Sequence, residues 1–206
     1  MLFDDEEFHI MAAAAQPQLR LSEPDAKAKR IFEDFFAERR LAGTRVLELG
    51  PGQYDFARLV MAAGATVVSI DHDPAVVALG RKRGYEVIHA DFLTLDWSSL
   101  RGEFHGLFAR HSIAPHWFPE PAPLVAFVNS ICSTLKRGGW GWLLPWSKYV
   151  NTPPAQVNRM LSAQRRAFER RRFTTFYLEG IPDNNILFLK GIDPGPGGID
   201  PRRLED

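Results

Sequence analysis

The segment Val46–Tyr54 constrains the fold of this chain more than any other stretch. Its apolar first half, Val46–Leu49, predicts a buried strand, and Gly50 and Gly52 then end that strand. A helical pattern begins directly afterwards and places four apolar residues on one face: Phe56, Leu59, Val60 and Ala63. A strand, a glycine turn and a helix form the first unit of a nucleotide-binding α/β fold. Glycine suits such a turn because it lacks a Cβ and tolerates positive φ, while the helix directs free N–H groups at a ligand.

The second predicted strand ends in a carboxylate. This residue indicates that the glycine turn belongs to a nucleotide-binding site and is not merely a tight turn. The strand is Val67–Asp71, and Asp71 follows Gly50 by 21 residues. At this spacing a carboxylate accepts hydrogen bonds from ribose hydroxyls. The dinucleotide fingerprint G-x-G-x-x-G is incomplete, because Asp55 stands in place of its third glycine. Glu48, two residues before the first glycine, is also unusual in a dinucleotide site.

The class I S-adenosylmethionine-dependent methyltransferases have motifs that resemble four segments of this chain: Glu48–Gly52, Asp71, His89–Phe92 and Leu135–Gly139. Their acid-x-Gly-x-Gly motif is similar to Glu-Leu-Gly-Pro-Gly here, and their turn before the fifth strand is similar to Leu-Lys-Arg-Gly-Gly. The resemblance covers residues 44–139, about half of the chain. It implies a Rossmann-like, doubly wound α/β fold with a seven-stranded, mostly parallel sheet, and S-adenosylmethionine as cofactor.

The same resemblance implies roles for the residues of the cofactor site. It assigns Asp71 to the ribose, Asp91 to the exocyclic amine of adenine, and Phe92 to the adenine ring. The full set expected around the cofactor is Glu48, Gly50, Pro51, Gly52, Tyr54, Asp71, His72, Asp91, Phe92 and Arg110.

Composition limits the classes of partner. The 206 residues include 25 Lys plus Arg and 25 Asp plus Glu, so the net charge of zero argues against broad binding to nucleic acid or to an anionic membrane. Cys132, the single cysteine, is expected in the core. The acidic N-terminus is unlike a signal peptide, and no apolar run approaches the roughly 20 residues of a membrane span, so a soluble cytoplasmic protein is expected. No ligand spacing such as H-E-x-x-H or C-x-x-C occurs, so no metal is expected.

The chain divides into three regions. Residues 1–20 are a frayed tail or a lid over the cofactor, and residues 191–206 form a disordered tail rich in glycine and proline. Residues 21–190 form the methyltransferase domain.

Pattern and capping signals predict the remaining elements of that domain. Helices are expected after Ser22, after Asp73, over Pro121–Leu135 and over Pro153–Arg172. Strands are expected at Tyr85–Ala90, Phe104–Ala109, Trp140–Trp146, Thr174–Leu178 and Ile186–Leu189, the last two as a C-terminal antiparallel hairpin. The arginines of the last helix form a solvated basic face or contact RNA or an acidic substrate.

The loop after the fourth strand is the expected place of chemistry, because ligands of open α/β sheets bind beyond the C-terminal strand ends. This loop departs from the family, which often has Asp or Asn where Arg110 stands. His111 and His116 are candidate general bases, since histidine titrates near neutral pH, or else structural hydrogen-bonding residues. Arg110 is expected to bind a carboxylate of the acceptor or of the cofactor, with an ion pair to Asp91 or Glu48 as the alternative.

Two further groups of residues complete the site hypothesis. Four aromatic residues form a box beside the sulfonium or belong to the core: Trp117, Phe118, Trp146 and Tyr149. His105 stands at the start of its strand, on the wrong side of the sheet for catalysis.

The predicted function is methyl transfer from S-adenosylmethionine to the oxygen or nitrogen of a small molecule, by a monomer or homodimer. In the first alternative the methionine part of the cofactor is the substrate, and cyclisation or lysis releases methylthioadenosine. The second alternative is a non-catalytic cofactor-binding partner of a larger assembly.

Overall fold

The computed structural model describes residues 41–110, 112–113, 118–144, 153–171, 173–176 and 186–190, together with the helical residues 29, 32 and 33. The predictions for residues 1–20, for the capping Ser22 and for the tail 191–206 lie outside these residues.

Helices and strands alternate along the described part of the chain. The helices are α1 (Asp55–Ala62), α2 (Pro74–Lys82), a 3-10 helix (Trp97–Leu100), α3 (Pro121–Ser133) and α4 (Pro154–Arg170). The strands are β1 (Arg45–Leu49), β2 (Thr66–Asp71), β3 (Glu86–His89), β4 (Phe104–Arg110), β5 (Leu135–Leu144), β6 (Phe173–Phe176) and β7 (Ile186–Lys190). None of these helices is both long and apolar enough to cross a bilayer.

The sheet confirms the predicted α/β fold with parallel strands. Five strands pair in parallel in the order β3-β2-β1-β4-β5. The chain therefore runs outwards from β1 through β2 and β3, and then crosses to the other side of β1 to form β4 and β5. This reversal makes the C-terminal ends of β1 and β4 the topological switch point, where such sheets bind ligands. Beyond β5, β7 pairs antiparallel with β5 and β6 pairs antiparallel with β7.

Both faces of the sheet are covered by helices. On one face Leu47 and Leu49 belong to a core cluster with residues of α3 and α4, including Phe168. On the other face Val46 clusters with residues of α1, including Val60. Strand side chains alternate between faces, so Glu48 shares the second face with Val46. The α1 side of the sheet therefore contains a carboxyl group within an otherwise apolar layer.

The start of α2 confirms the predicted cap. Asp73 is the N-cap residue, its Oδ1 accepts a hydrogen bond from Ala75 N at 2.7 Å, and proline occupies the first turn. The helix ends at Lys82, and Gly84 follows with a φ of +78°.

The start of β5 differs from the prediction. The turn expected at Leu135–Gly139 lies within the strand, because Leu135 pairs with Phe104 before pairing resumes between Trp140 and Gly106. Four residues of β5, 136–139, therefore lie between two paired positions that only His105 separates on β4, so the strand is irregular where the sequence suggests only a turn. Gly106 permits the close approach, since a Cβ there would lie 2.2 Å from Trp140 Cζ2.

Tyr54, the residue before α1, joins the glycine turn to α2. Its φ of +62° is left-handed, its ring is buried, and its hydroxyl donates to Val76 O at 2.9 Å. Gly80 on α2 makes room for this ring, because a Cβ there would lie 2.1 Å from Tyr54 Oη. The packing of the Tyr54 ring therefore depends on a glycine inside α2.

Replacing Gly80 tests this packing. Alanine in a helix interior otherwise stabilises by about 0.5–1 kcal/mol relative to glycine. Gly80→Ala should instead lower the free energy of unfolding by about 1–3 kcal/mol, because the methyl group overpacks against Tyr54. Urea unfolding measures the change, with Lys82→Ala on the exposed side of α2 as a control expected within about 0.5 kcal/mol of the parent. A stabilised Gly80→Ala protein would contradict this packing.

Candidate functional site

A cavity of about 460 Å³ lies beside the C-terminal ends of β1 and β4. It brings together five residues predicted for the cofactor site, and adds four others. The predicted ones are Glu48, Gly50, Pro51, Gly52 and Arg110, and the others are Gln53, Asp55, Phe56 and Phe108. The cavity therefore occupies the switch point of the sheet.

The glycine turn provides the backbone wall of the cavity. Gly50 and Gly52 have φ values of +63° and +53°, in the left-handed region. Gly50 N donates to Ile70 O at 2.9 Å, which fixes the turn to the end of β2. A Cβ on Gly52 would meet no atom within 4 Å, so the backbone of Gly52 faces open space. This turn allows a ligand to approach the main chain closely.

Glu48 is the buried acid of the cavity wall, with 1% of its surface exposed. Burial raises the pKa of Glu48 to about 8, while the Ser69 hydrogen bond and the positive charge of Arg110 oppose the rise and the Asp55 carboxylate adds to it. Ser69 Oγ donates to Glu48 Oε2 at 3.2 Å. The Glu48 carboxyl is therefore mainly protonated at neutral pH, and a cationic ligand group beside it would favour the carboxylate.

An aromatic stack forms the apolar wall. The ring of Phe56 lies 3.4 Å from that of Phe108, and Phe108 stacks on Trp142 at 4.7 Å between centroids. Phe56 and Phe108 line the cavity, and Trp142 is buried behind them. This wall consists of other residues than the aromatic box predicted from sequence. Of that predicted set, Phe118 lies in the core beside Phe127, which was the alternative for it. Trp117, Trp146 and Tyr149 lie outside the described residues.

Asp71, which is predicted to bind the ribose, and His72, which is predicted for the cofactor site, lie at the end of β2. Asp71 is 7% exposed, and its Oδ1 accepts from Asp73 N at 2.9 Å. His72 is exposed, with Nδ1 at 3.6 Å from the same oxygen. Burial raises the pKa of Asp71. Asp71 stands at the C-terminal end of the strand beside β1, and its contact with a ribose stays a prediction.

The residues predicted for adenine follow β3 and differ in exposure. Asp91 is exposed, and its Oδ1 accepts from Leu93 N at 2.8 Å. Phe92 is buried in the core, and its carbonyl accepts from Trp97 Nε1 at 3.1 Å. The side chain of Asp91 is therefore the more accessible of the two.

Other predicted residues lie away from the cavity or outside the described chain. The Tyr54 side chain is directed into the core, which leaves its backbone to border the turn. His105 Nδ1 accepts from Arg45 N at 3.0 Å, at the opposite edge of the sheet from the cavity. His111 and His116 lie outside the described residues, whereas Arg110 lines the cavity.

Sequence reasoning missed Phe108 and Ser112. Phe108 is two residues before Arg110, so strand alternation alone would have placed both side chains on one face. Ser112 Oγ donates to Leu49 O across the sheet edge, a contact that no local pattern in the sequence signals.

Comparison with known proteins supports the fold. No protein-family model and no curated protein sequence matches the chain. Solved structures do match. A SAM-dependent methyltransferase from Aquifex aeolicus has a TM-score of 0.59 at 14% identity, over 88% of this chain and 98% of that one. The fold is that of the S-adenosylmethionine-dependent methyltransferases. The class I, Rossmann-like fold expected from sequence is thus confirmed.

Two further solved structures show the same likeness. An S-adenosylmethionine-dependent methyltransferase from Mesorhizobium loti has a TM-score of 0.55 at 13% identity, over 80% of this chain and 96% of that chain. The PH0226 protein from Pyrococcus horikoshii OT3 has a TM-score of 0.58 at 15% identity, over 90% of this chain and 91% of that chain.

The buried acid predicts how stability depends on pH. The folded-state pKa of Glu48, about 8, exceeds its ordinary value of 4.5, so the folded state binds the proton more tightly than the unfolded state. The contribution of Glu48 to stability is therefore full below pH 4.5 and is lost as pH rises to about 8. Glu48→Gln should flatten the dependence of the free energy of unfolding on pH in this range. Urea unfolding between pH 5 and 9 measures it.

The exposed Asp91 offers a control for that measurement. Asp91→Asn retains an oxygen that can accept from Leu93 N and should leave the slope of the parent unchanged. A Glu48→Gln protein with the parent's slope would show that Glu48 ionises normally.

Proposed function

We propose that the chain is an S-adenosylmethionine-dependent methyltransferase that acts on the oxygen or nitrogen of a small molecule. The observation that carries the proposal is the cavity at the switch point, which combines the left-handed glycine turn with Glu48 and Arg110. The likeness in fold to S-adenosylmethionine-dependent methyltransferases supports the same reaction class.

The residues present fit the chemical groups of this cofactor. The open space at Gly52 and the turn from Gly50 suit its methionine part. Arg110 offers a guanidinium for the carboxylate, and Glu48 offers a carboxyl for the ammonium group. Asp71 would accept hydrogen bonds from the ribose hydroxyls, and Asp91 from the adenine amine.

The protein's task in such a reaction is alignment. When bound, the cofactor supplies a methyl group already activated by the positive charge on sulfur. The cavity walls then hold the donor and exclude water, so that the acceptor atom meets the methyl group in line. We assign removal of the acceptor proton to His111 or His116, in the loop that begins at Arg110.

The proposal extends to the whole protein. The strands β6 and β7 serve as the C-terminal hairpin of a seven-stranded sheet within a domain of residues 21–190. The balance of 25 basic and 25 acidic residues supports a small acceptor over nucleic acid or membrane, and a cytoplasmic monomer or homodimer.

Asp71 provides the first test of cofactor binding. Asp71→Ala should weaken binding of S-adenosylhomocysteine by about 1–3 kcal/mol, because two ribose hydroxyls lose their acceptor. Titration calorimetry measures the affinity, and Glu103→Ala, which removes an exposed acid away from the cavity, is the control. Unchanged affinity in Asp71→Ala would remove Asp71 from the site.

Gly52 provides the second test, and Gly84 is its matched control. Both glycines have positive φ, and a Cβ on either would meet nothing within 4 Å, but only Gly52 lines the cavity. Valine should destabilise both positions to a similar extent by backbone strain. Only Gly52→Val should also abolish cofactor binding, measured by calorimetry on folded protein. Retained binding in Gly52→Val would place the cofactor elsewhere.

Arg110 favours a second candidate reaction, in which the methionine part of the cofactor is itself the substrate. The family often has Asp or Asn at this strand end, whereas the guanidinium here lines the cavity. Mass spectrometry of the products distinguishes the reactions, since methyl transfer yields S-adenosylhomocysteine and the alternative yields methylthioadenosine. Binding without either product would indicate a non-catalytic partner.

A further inference from the structure

Asp55 is the first residue of α1 and stands where the dinucleotide fingerprint has its third glycine. It lines the cavity, and 18% of its side chain is exposed. The start of a helix behind a glycine turn is a common phosphate-binding position, because free N–H groups and the helix dipole both favour an anion. Asp55 therefore places a negative charge of the protein itself where a phosphate would bind.

Glu48 adds a second acid to the same end of α1. The N–H group of Ala57, in the first turn of the helix, donates a hydrogen bond to the Glu48 carboxyl and so opposes the rise in its pKa. The Asp55 carboxylate adds to that rise in pKa, as expected for two acids that lie close together. One N–H group of the helix start is thus bonded within the protein, beside a second carboxyl group.

The nearby arginines leave this acidic helix start in place. Arg58 Nη2 lies 3.5 Å from Asp55 Oδ1, and Arg58 is not among the described residues that line the cavity. Within that described lining, Arg110 is the single cationic residue, and Glu48 and Asp55 are the acids. A phosphate that entered the cavity would therefore approach one guanidinium and two carboxyl groups.

We propose that Asp55 is a specificity-determining residue that keeps phosphate-bearing ligands, such as nucleoside diphosphates, out of the cavity. This inference rests on the proposed function for the ligand that the cavity accepts, a nucleoside whose charged part is a zwitterion. The ammonium group of such a ligand is attracted by the acids, whereas a diphosphate is repelled by them. An unfavourable charge set against the wrong ligand is a general source of specificity.

Removal of the charge at position 55 tests the proposal. Titration calorimetry measures the affinities of the parent and of Asp55→Asn for inorganic pyrophosphate, adenosine diphosphate and S-adenosylhomocysteine. Asp55→Asn should bind both phosphates at least about five-fold more tightly than the parent, because a like charge at short range is removed. Asp55→Ser, which also removes the charge, should show the same gain. Unchanged phosphate affinity, or an equal gain for S-adenosylhomocysteine, would overturn the proposal.

Glu120 provides the matched control. It is the N-cap residue of α3, and its Oε2 lies 3.7 Å from Arg159 Nη2, so it is also an acid at a helix start with an arginine partner. It is not among the described residues that line the cavity. Glu120→Gln raises the net charge by one, as Asp55→Asn does, and should change none of the three affinities by more than about two-fold.

A charge-balanced variant separates the helix start from the arginine that the substitution releases. Asp55→Asn combined with Arg58→Gln removes both members of the ion pair and restores the net charge of the parent. The gain in pyrophosphate affinity should persist in this double variant. Loss of the gain would show that the released Arg58 binds the anion, and the role of Asp55 would be wrong.

Arg110 locates the bound anion. Adding Arg110→Gln to Asp55→Asn should remove most of the gained pyrophosphate affinity, because the cavity loses its described cation. Unchanged affinity would place the anion outside the cavity and overturn the proposal.

The same measurements separate failure of this inference from failure of the proposed function. If the parent binds no S-adenosylhomocysteine, the cofactor assignment fails, and the pyrophosphate comparison still decides whether Asp55 excludes phosphates. If the parent binds S-adenosylhomocysteine but Asp55→Asn gains no affinity for either phosphate, the cofactor assignment stands and the role of Asp55 is wrong.

Discussion

Burial of the Glu48 carboxyl is the constraint on which the cavity depends. The register of the parallel strands places Glu48 opposite Ser69 on one side and Phe108 on the other. The layer around it is aromatic and aliphatic, so a charged carboxylate there loses most of its hydration. Ser69 supplies one hydrogen bond and Arg110 an opposite charge, and neither prevents the rise in pKa. Strongly shifted acids of this kind are typical of functional sites, which is consistent with the position of Glu48 at the switch point.

The glycine turn is held by contacts to the end of β2, to Ser112 after β4 and to α2. Gly50 is fixed to β2 through Ile70 O and to the loop after β4 through Ser112. Tyr54 adopts a left-handed φ without being glycine, a conformation that persists only where surrounding contacts enforce it. Its hydroxyl supplies such a contact by donating to Val76 O on α2, the helix that follows Asp71. The turn and the candidate ribose acid are thereby parts of one packed unit.

The sequence correctly predicted those elements whose structure is determined by residues close together along the chain. The strand and glycine turn at Val46–Gly52 and the cap at Asp73 depend on neighbouring residues alone, and both were confirmed. The irregular start of β5 was missed because it depends on pairing with Phe104, far away in sequence. The aromatic wall was missed for the same reason, since the stack on Phe108 requires the register of β4 against β5 and the packing of α1 on the sheet. Contacts set by register cannot be inferred from spacing along one segment.

Arginine at position 110 suits the charges around Glu48. Asp55 also lines the cavity, and its negative charge raises the pKa of Glu48, whereas Arg110 lowers it. An aspartate at position 110 would place a third carboxyl in the same small space, and each ionisation would oppose the others. Arginine instead balances the acids and leaves one basic and two acidic groups facing the turn. Under the proposed function, such an arrangement would suit a zwitterionic part of the ligand, with its carboxylate at Arg110 and its ammonium group at Glu48. An ammonium group bound there would favour ionisation of Glu48, so the charge of the wall would then adapt to the ligand.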